Sequence, residues 1–453
     1  MKKLTTKNYA GYMAGDLANN LAFSMQGMFL MLYYTVVVGL NPAAIGTMFF
    51  VVRFYDAFAD LFAGRMVDIT RSRWGKFRPW LLFASLPLLF SSVALFTVPD
   101  FSSTTMKYVY AWLTYMLLGT LYSLVNIPYG SLATSMTQDT IERSKLGVWR
   151  GVGPILGTLA LVLVVSPQIK KYATDPHGLQ GALTKVTLLF VVVGFLLYLI
   201  TFFTCKEQIH HEKKPITLAE TVKVVKVNKP LLILCISNLI FLTGVFSVQA
   251  SQAFYAQFVL KDATALVSMV VLSSIGSLLA VPAVPTCVNA MGKKKTFIVG
   301  ACLMMALGVW IFFMPANKTI VMATFCLWGF VQNLIMSLLF AFEADAVDYG
   351  EWKTGERTEG AVYAVYSFFR KMSQALAGSV QGWVLLWGSF AGKGAKVQPE
   401  SAITAIKALM GLAPVVFGIA GLLIFVAYPL TDEKVRSMVE EMRARQASQE
   451  IPA

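Results

Sequence analysis

Histidine is nearly missing from this chain. The 453 residues hold three, His177, His210 and His211, all in polar stretches between apolar runs, so no imidazole is placed to relay protons through an apolar core. Cysteine is also sparse and odd in number, at five. Cys235, Cys287, Cys302 and Cys326 fall in apolar stretches without paired or metal-ligand spacing, which excludes a disulfide framework and a thiolate metal centre. Charged residues make up 14% of the chain and hydrophobic ones 57%. A soluble domain carries about 25% charged and rarely exceeds half apolar, so the chain is a polytopic membrane protein with the lipid bilayer as its solvent. Its net charge of +14 is no nucleic-acid footprint. Most Lys and Arg gather in the stretches of one membrane face, and those within apolar helices are Arg53, Arg150, Arg370 and Lys371. The start, MKKLTTKNYAGYMAGD, lacks the apolar core and cleavage site of a signal peptide, so the first helix is expected to stay in the membrane. A membrane enzyme needs a nucleophile with its base or a His/Cys metal set. Neither is legible here, and no cofactor is expected.

A membrane-crossing helix takes about 20 apolar residues. Twelve segments qualify: 9–38, 42–64, 80–98, 106–134, 146–165, 183–203, 230–260, 266–288, 296–314, 320–342, 361–390 and 403–428. An even number puts both termini on one side, and the Lys-rich ends make that side cytoplasmic. A polar stretch at 205–229 links an N-terminal six-helix half (1–204) to a second one (230–430), and 431–453 is a charged cytoplasmic tail. The halves repeat each other. Gly75-Lys76-Phe77-Arg78 after the second helix is echoed by Gly292-Lys293-Lys294-Lys295 after the eighth. Two such repeats about an axis along the membrane normal describe the major facilitator architecture, with binding at mid-membrane.

Charges inside apolar helices are costly and mark function. Arg53, Asp56 and Asp60 stand at i, i+3 and i+7, on one face of the second helix. The two acids lie roughly 6 Å apart and cannot both stay ionised in a low dielectric unless a cation or proton joins them. In the fourth helix, YSLVNIPYGSL, Pro128 frees a backbone carbonyl near Tyr122, Ser123 and Asn126. Oxygen-rich broken helices coordinate cations in transporters, although a packing kink reads the same way. Asp16, Asn19 and Asn20 share a face of the first helix, Asp16 about 12 Å inside at 1.5 Å per residue. Trp149-Arg150 sits beside Gly151 and Gly153 in the fifth, where the arginine requires a carboxylate or a substrate as partner; Asp16 or an acid of the second helix would serve. Asn238, Gln249 and Gln252 in the seventh helix read as interhelical hydrogen bonds. Glu343, Asp345, Asp348 and Glu351 at the end of the tenth read as a solvated or loop-to-loop salt-bridge cluster. The eleventh carries Tyr363, Tyr366, Arg370 and Lys371. Asp68 with Arg71, Arg73 and Arg78 forms a charged loop suited to gating between conformational states.

The set Gly15-Asp16, Arg53-x-x-Asp56-x-x-x-Asp60, Arg73-Trp74-Gly75-Lys76-Phe77-Arg78-Pro79, Asn126-Ile127-Pro128 and Asp348-Tyr349-Gly350-Glu351 resembles the glycoside–pentoside–hexuronide:cation symporters, across essentially the whole chain. Within that family the likeness is to carriers of glucuronides. The resemblance implies a twelve-helix major facilitator fold and cation-coupled uptake of a glycoside, by a monomer in a bacterial inner membrane. It implies sugar binding by Asp16 and Arg150, with Asn19, Asn20, Tyr122, Trp149, Tyr366 and Lys371 around them. It implies cation binding by Asp56 and Asp60, with Ser123 and Asn126. Family members that carry melibiose have an aspartate in place of Asn126, so proton coupling is expected ahead of sodium. They have a tryptophan in place of Gly130, so room for a bulkier aglycone is expected. Carriers of another glycoside, of a pentoside or sulfonated sugar, or of a lysolipid are the alternatives. The charges of Asp16, Arg150 and Lys371 favour a polar solute.

Overall fold

The computed structural model describes residues 3–137, 140–208, 228–355, 359–392 and 397–449, without the side chains at 61, 68, 134, 140, 141, 143, 144, 359–361 and 443–449. Most of the linker expected at 205–229 lies outside these residues. All regular elements among them are helices: α1 (Thr6–Leu32, passing into a π-helical turn Tyr33–Val38), α2 (Pro42–Ile69), α3 (two segments, Arg78–Phe83 and Ser85–Leu95), α4 (Thr104–Met136), α5 (Thr140–Lys171) and α6 (Pro176–Thr204). There follow α7 (Lys229–Phe254, with a π-helical turn Tyr255–Val259), α8 (Ala265–Met291), α9 (Lys293–Phe313), α10 (Lys318–Thr354), α11 (Glu359–Trp387), α12 (Glu400–Val426) and α13 (Asp432–Gln449). Ten helices among the described residues are long and apolar enough to cross a membrane. Of the twelve expected, α2 and α11 fall short. At 28 and 29 residues they have the length, and their charged and polar side chains dilute the hydropathy.

Several helices outrun their apolar windows, because an apolar count measures the hydrocarbon layer while the backbone hydrogen-bond ladder continues past it. So α2 ends at Ile69 rather than near 64, which places Arg65 and Asp68 on its last turns instead of in a loop. The side chain of Asp68 is outside the described residues. α10 runs to Thr354, so Glu343, Asp345, Asp348 and Glu351 are helical.

Packing divides the chain into two compact units, one of Met1–Lys213, Gln249–Val270 and Gly378–Ile406, the other of Lys214–Val248, Val271–Ala377 and Lys407–Ala453. In the first, α1 packs most extensively on α5 and α6, α2 on α4, and α3 on α4 and α6. Small residues permit these approaches without any hydrophobic force between helices in lipid. The ends of α7 and α11 join this unit: Ser379 Oγ donates to the Gly46 carbonyl at 2.8 Å, and Lys170 pairs with Asp262 at 3.2 Å. In the second unit α10 packs on α9 and on α13.

Each unit fastens the basic loop after its second helix in the same way. Gly75 and Gly292 take φ of 103° and 80°, a left-handed region that suits glycine, and a side chain at either would collide with a carboxylate, of Glu207 or Asp432. Glu207 accepts the backbone N–H groups of Lys76, Phe77 and Arg78 at 2.9, 2.8 and 3.1 Å, an anion at a helix N-terminus. Asp432 accepts from the Lys293 N–H at 2.8 Å. The basic side chains grip carbonyls at the end of the sixth helix of each half. Arg78 donates to the Phe202 carbonyl at 3.1 and 2.6 Å, and Lys294 donates to those of Val426 and Tyr428 at 2.9 and 2.7 Å. Asp432 opens α13, whose Glu441 also accepts from the Trp352 indole at 2.8 Å, so the charged tail begins as a docked helix. Glu207→Ala strips three N–H groups of one charged acceptor and should lower the unfolding free energy by about 1–3 kcal/mol, with Glu207→Gln between it and wild type. Melting of the detergent-purified protein checks this, and an unshifted curve for Glu207→Ala would refute it.

Candidate functional site

The first unit places its intramembrane charges in two groups. In one, the Asp16 carboxylate on α1 is 3.5 Å from Nε of Arg150 on α5. Asp16 is buried at 7% exposure, whereas the Arg150 side chain is 36% exposed. The Arg150 guanidinium lies 5.4 Å from the centre of the Tyr129 ring, a cation–π arrangement. That ring stacks on Tyr12 at 4.7 Å, and the Tyr129 hydroxyl donates to the Tyr12 carbonyl at 2.6 Å. Asn20 donates to the Asp16 carbonyl at 2.9 Å and to its carboxylate at 3.5 Å. Asn19 is 1% exposed and accepts from the Tyr198 hydroxyl at 2.6 Å, which ties α1 to α6. Tyr122 is half-buried, tilted against Phe23 at 5.4 Å, and Trp149 is half-buried. A Cβ at Gly130 would lie 4.0 Å from Arg150 Nη1 and meet nothing nearer, so any larger side chain there would contend with the guanidinium for space.

The second group lies between α2 and α4. Arg53 Nη1 donates to Asp56 at 2.8 Å, with side chains 13% and 8% exposed, a pair within one helix turn. The Asp56 carboxylate also rests on Gly119, where a side chain would collide with it. Asp60 accepts from the Ser123 hydroxyl at 2.6 Å. Asn126 is half-buried one turn further along α4. Asp60 and Ser123 are therefore in direct contact, and the Arg53 guanidinium answers Asp56.

Of the gating loop, Arg78 holds α6 carbonyls, Arg73 lies 4.6 Å from the centre of the Trp74 ring and Arg71 is exposed. Tyr366 and Lys371 belong to the second unit, the former buried at 4% exposure and the latter half-buried.

Two readings of the second unit change. Glu343 and Asp345 are buried, at 8% and 7% exposure, not members of one solvated cluster. Asp345 pairs with Lys293 at 2.5 Å, while Glu343 feels the charge of Arg370 on α11. Asn238 makes no interhelical hydrogen bond through its amide to any described residue. Sequence spacing misses Glu207, Tyr129 and Glu343 as functional groups. Tyr129 stands within the helix 4 motif, and Glu343 is masked by the three acids that follow it.

The chain matches the family described as MFS/sugar transport protein over residues 11–432. It is 40% identical to the glucuronide carrier protein homolog of Escherichia coli K12, over 99% of this chain and 98% of that one. It is 33% identical to the isoprimeverose transporter of Lactiplantibacillus pentosus, over 96% and 91%. A solved bacterial homolog of the human lysosomal transporter Spinster, inward-facing and unoccupied, superposes with a TM-score of 0.66 over 97% of this chain and 99% of that one. At 10% identity that likeness is one of fold. The relatives and neighbours are membrane transporters, not enzymes.

Close packing of α5 on α1 sets the Asp16–Arg150 geometry. A Cβ at Gly153 would sit 3.0 Å from Asp16 Cβ and from the Leu17 nitrogen, whereas one at Gly151 would meet nothing. Gly153→Leu should therefore cost about 1–3 kcal/mol through overpacking and pull Arg150 from Asp16, while Gly151→Leu should melt like wild type. Equal melting temperatures for the two variants would contradict this packing.

Proposed function

Because this chain belongs to the MFS/sugar transport family, we propose that it is a secondary active symporter that carries a glycoside, specifically a β-glucuronide, together with a cation by alternating access. It is a multi-pass membrane protein of sugar-transport type. In the proposed reading it acts as a monomer in a bacterial inner membrane with both termini in the cytoplasm. The observation that carries the substrate reading is the Arg150 guanidinium, over a third exposed, held by Asp16 above a tyrosine face. A planar fork matches hydroxyl pairs or a carboxylate, and Asp16 accepts from hydroxyls while repelling an acid. The acid group of a glucuronide then lies away from Asp16, toward Arg150. The name of the relative at 40% identity supports the same substrate. The charges of Asp16 and Arg150 favour a polar solute over a lysolipid, which would call for a mainly apolar cavity.

For coupling, two like charges on one face of α2, Asp56 and Asp60, are suited to sharing a single monovalent cation, with Arg53 paired to Asp56 beside them. Asn126 adds no charge, and a proton suits such a site better than sodium, which needs more oxygen ligands. In each asparagine variant, Asp56→Asn and Asp60→Asn, gradient-driven accumulation should be lost while solute exchange at equal concentrations persists. Normal uphill uptake in both would end the coupling assignment, and uptake steep in sodium at constant proton gradient would replace the proton. Charge-assisted contacts in a desolvated site contribute about 1.5–3 kcal/mol. Binding of one aglycone on three sugars should thus favour the glucuronide over the glucoside and galactoside by about ten- to a hundred-fold. Equal affinities would leave a general glycoside carrier.

A further inference from the structure

The second unit holds a set of buried polar groups of which the transport reading gives only Tyr366 a task. The Glu343 carboxyl, on α10, is buried at 8% exposure, and among the described residues no hydrogen bond or ion pair within 4 Å holds it. The charge of Arg370 on α11 acts on Glu343, and both act on the hydroxyl of Tyr366, which is 4% exposed. Tyr366 and Arg370 are one helical turn apart and share a face of α11. Ser373 continues that face and donates to the Asn238 carbonyl at 3.5 Å, which seats α7 against it. Cys235, one turn before Asn238 on α7, is fully buried and feels the Glu343 charge. Asn238 is 1% exposed, and neither its amide nitrogen nor its amide oxygen has a partner among the described residues.

Buried polar groups are almost always satisfied, and an acid and an arginine in a low dielectric close to a direct pair unless something belongs between them. Here a buried acceptor on α10, a five-donor fork and a buried phenol on one face of α11, and an unsatisfied amide on the stretch of α7 that Ser373 reaches belong to one unit, the acid near enough to feel the arginine's charge. A group that both donates and accepts completes them, and the adjacent hydroxyls of a sugar ring are such a group. The order of the helices adds a parallel: α11 is to the second half what α5 is to the first, so Arg370 corresponds to Arg150, again near a carboxylate and a tyrosine. We propose that Glu343, Arg370, Tyr366 and Asn238 form a second sugar-hydroxyl subsite, carried by the second unit. The inference rests on the reading of the chain as a glycoside carrier and gives the second unit a subsite of its own for ring hydroxyls.

The test is calorimetric titration of the purified full-length carrier with phenyl β-glucuronide and phenyl β-glucoside. Glu343→Gln and Arg370→Gln should each weaken both probes by about tenfold or more, and to a similar degree, because the two sugars share the hydroxyls. The double variant Glu343→Gln/Arg370→Gln should stay weak. If the pair were only structural, neutralising both partners would restore affinity, which overturns the proposal. Asn238→Leu should raise the melting temperature by removing unsatisfied groups while weakening both probes. Undiminished affinity in Asn238→Leu and in Glu343→Gln, with a wild type that binds, removes this subsite and leaves the carrier reading standing. Absence of binding by the wild type to either phenyl glycoside removes the carrier reading first.

Discussion

Charge inside a low-dielectric slab has to be answered locally, and the architecture of this protein follows from how each charge is answered. Asp16 is answered by Arg150 across α1 and α5, Asp56 by Arg53 within one turn of α2, Asp60 by a hydroxyl on α4, and Asp345 by Lys293. None of these is an efficient way to stabilise a fold, since a well-packed apolar replacement of a buried pair is often neutral or better, while removal of one partner costs about 3–5 kcal/mol. Such pairs are suited to work done when the pairing changes. In the mechanism proposed, a sugar enters between Asp16 and Arg150, and a cation joins Arg53 at the α2 acids. Neither event leaves a bare charge behind.

The loop clamps bear on how such an exchange becomes movement. Glu207 and Asp432 each hold the loop after the second helix of their own half, and Arg78 and Lys294 each hold the end of its sixth helix. Contacts of this kind stiffen one end of a unit from within. Rocking of rigid bundles about a central site needs units stiff enough to transmit a local change. The distinction matters for the basic loop, whose sequence suggests a network that forms and breaks. Arg78 is instead committed to backbone carbonyls of α6, a partner that does not change with ionisation.

The fold was largely legible because its signal is one-dimensional. A run of about 20 apolar residues needs no partner to be recognised, and i, i+3, i+7 spacing puts Arg53, Asp56 and Asp60 on one face before any packing is known. Pairing across helices was legible only where few candidates competed. Arg150, isolated in an apolar helix, had Asp16 among few possible partners. Glu207 had no such signal, being one acid in a polar stretch, and its role depends on a left-handed glycine more than a hundred residues earlier. Glu343 was hidden by its neighbours: four acids at the end of an apolar run look solvated when the helix is taken to stop with the run. Once α10 is seen to continue to Thr354, each residue turns about 100° from the last, so Glu343 and Asp345, two residues apart, lie about 200° apart around the helix and must face different neighbours.

Glycine placement supplies the complementary half of the design. Gly153 lies against Asp16 Cβ, Gly157 against Asn20 Cβ and Gly119 against the Asp56 carboxylate. In each case the polar side chain belongs to one helix and the glycine to the helix packed on it. Glycine costs a helix about 1 kcal/mol relative to alanine in water, a cost that tertiary packing in lipid easily overrides. What it gains here is position: two backbones come close enough that a short Asp or Asn, with little rotamer freedom left, presents its head group at a fixed depth. Longer acids could reach across a wider gap, but with more rotatable bonds and a less certain geometry. Selectivity in such a site is therefore set as much by these glycines as by the charged residues they flank. A carrier of this family could change its sugar by changing either, and the glycine changes would act without altering the charge balance of the membrane interior.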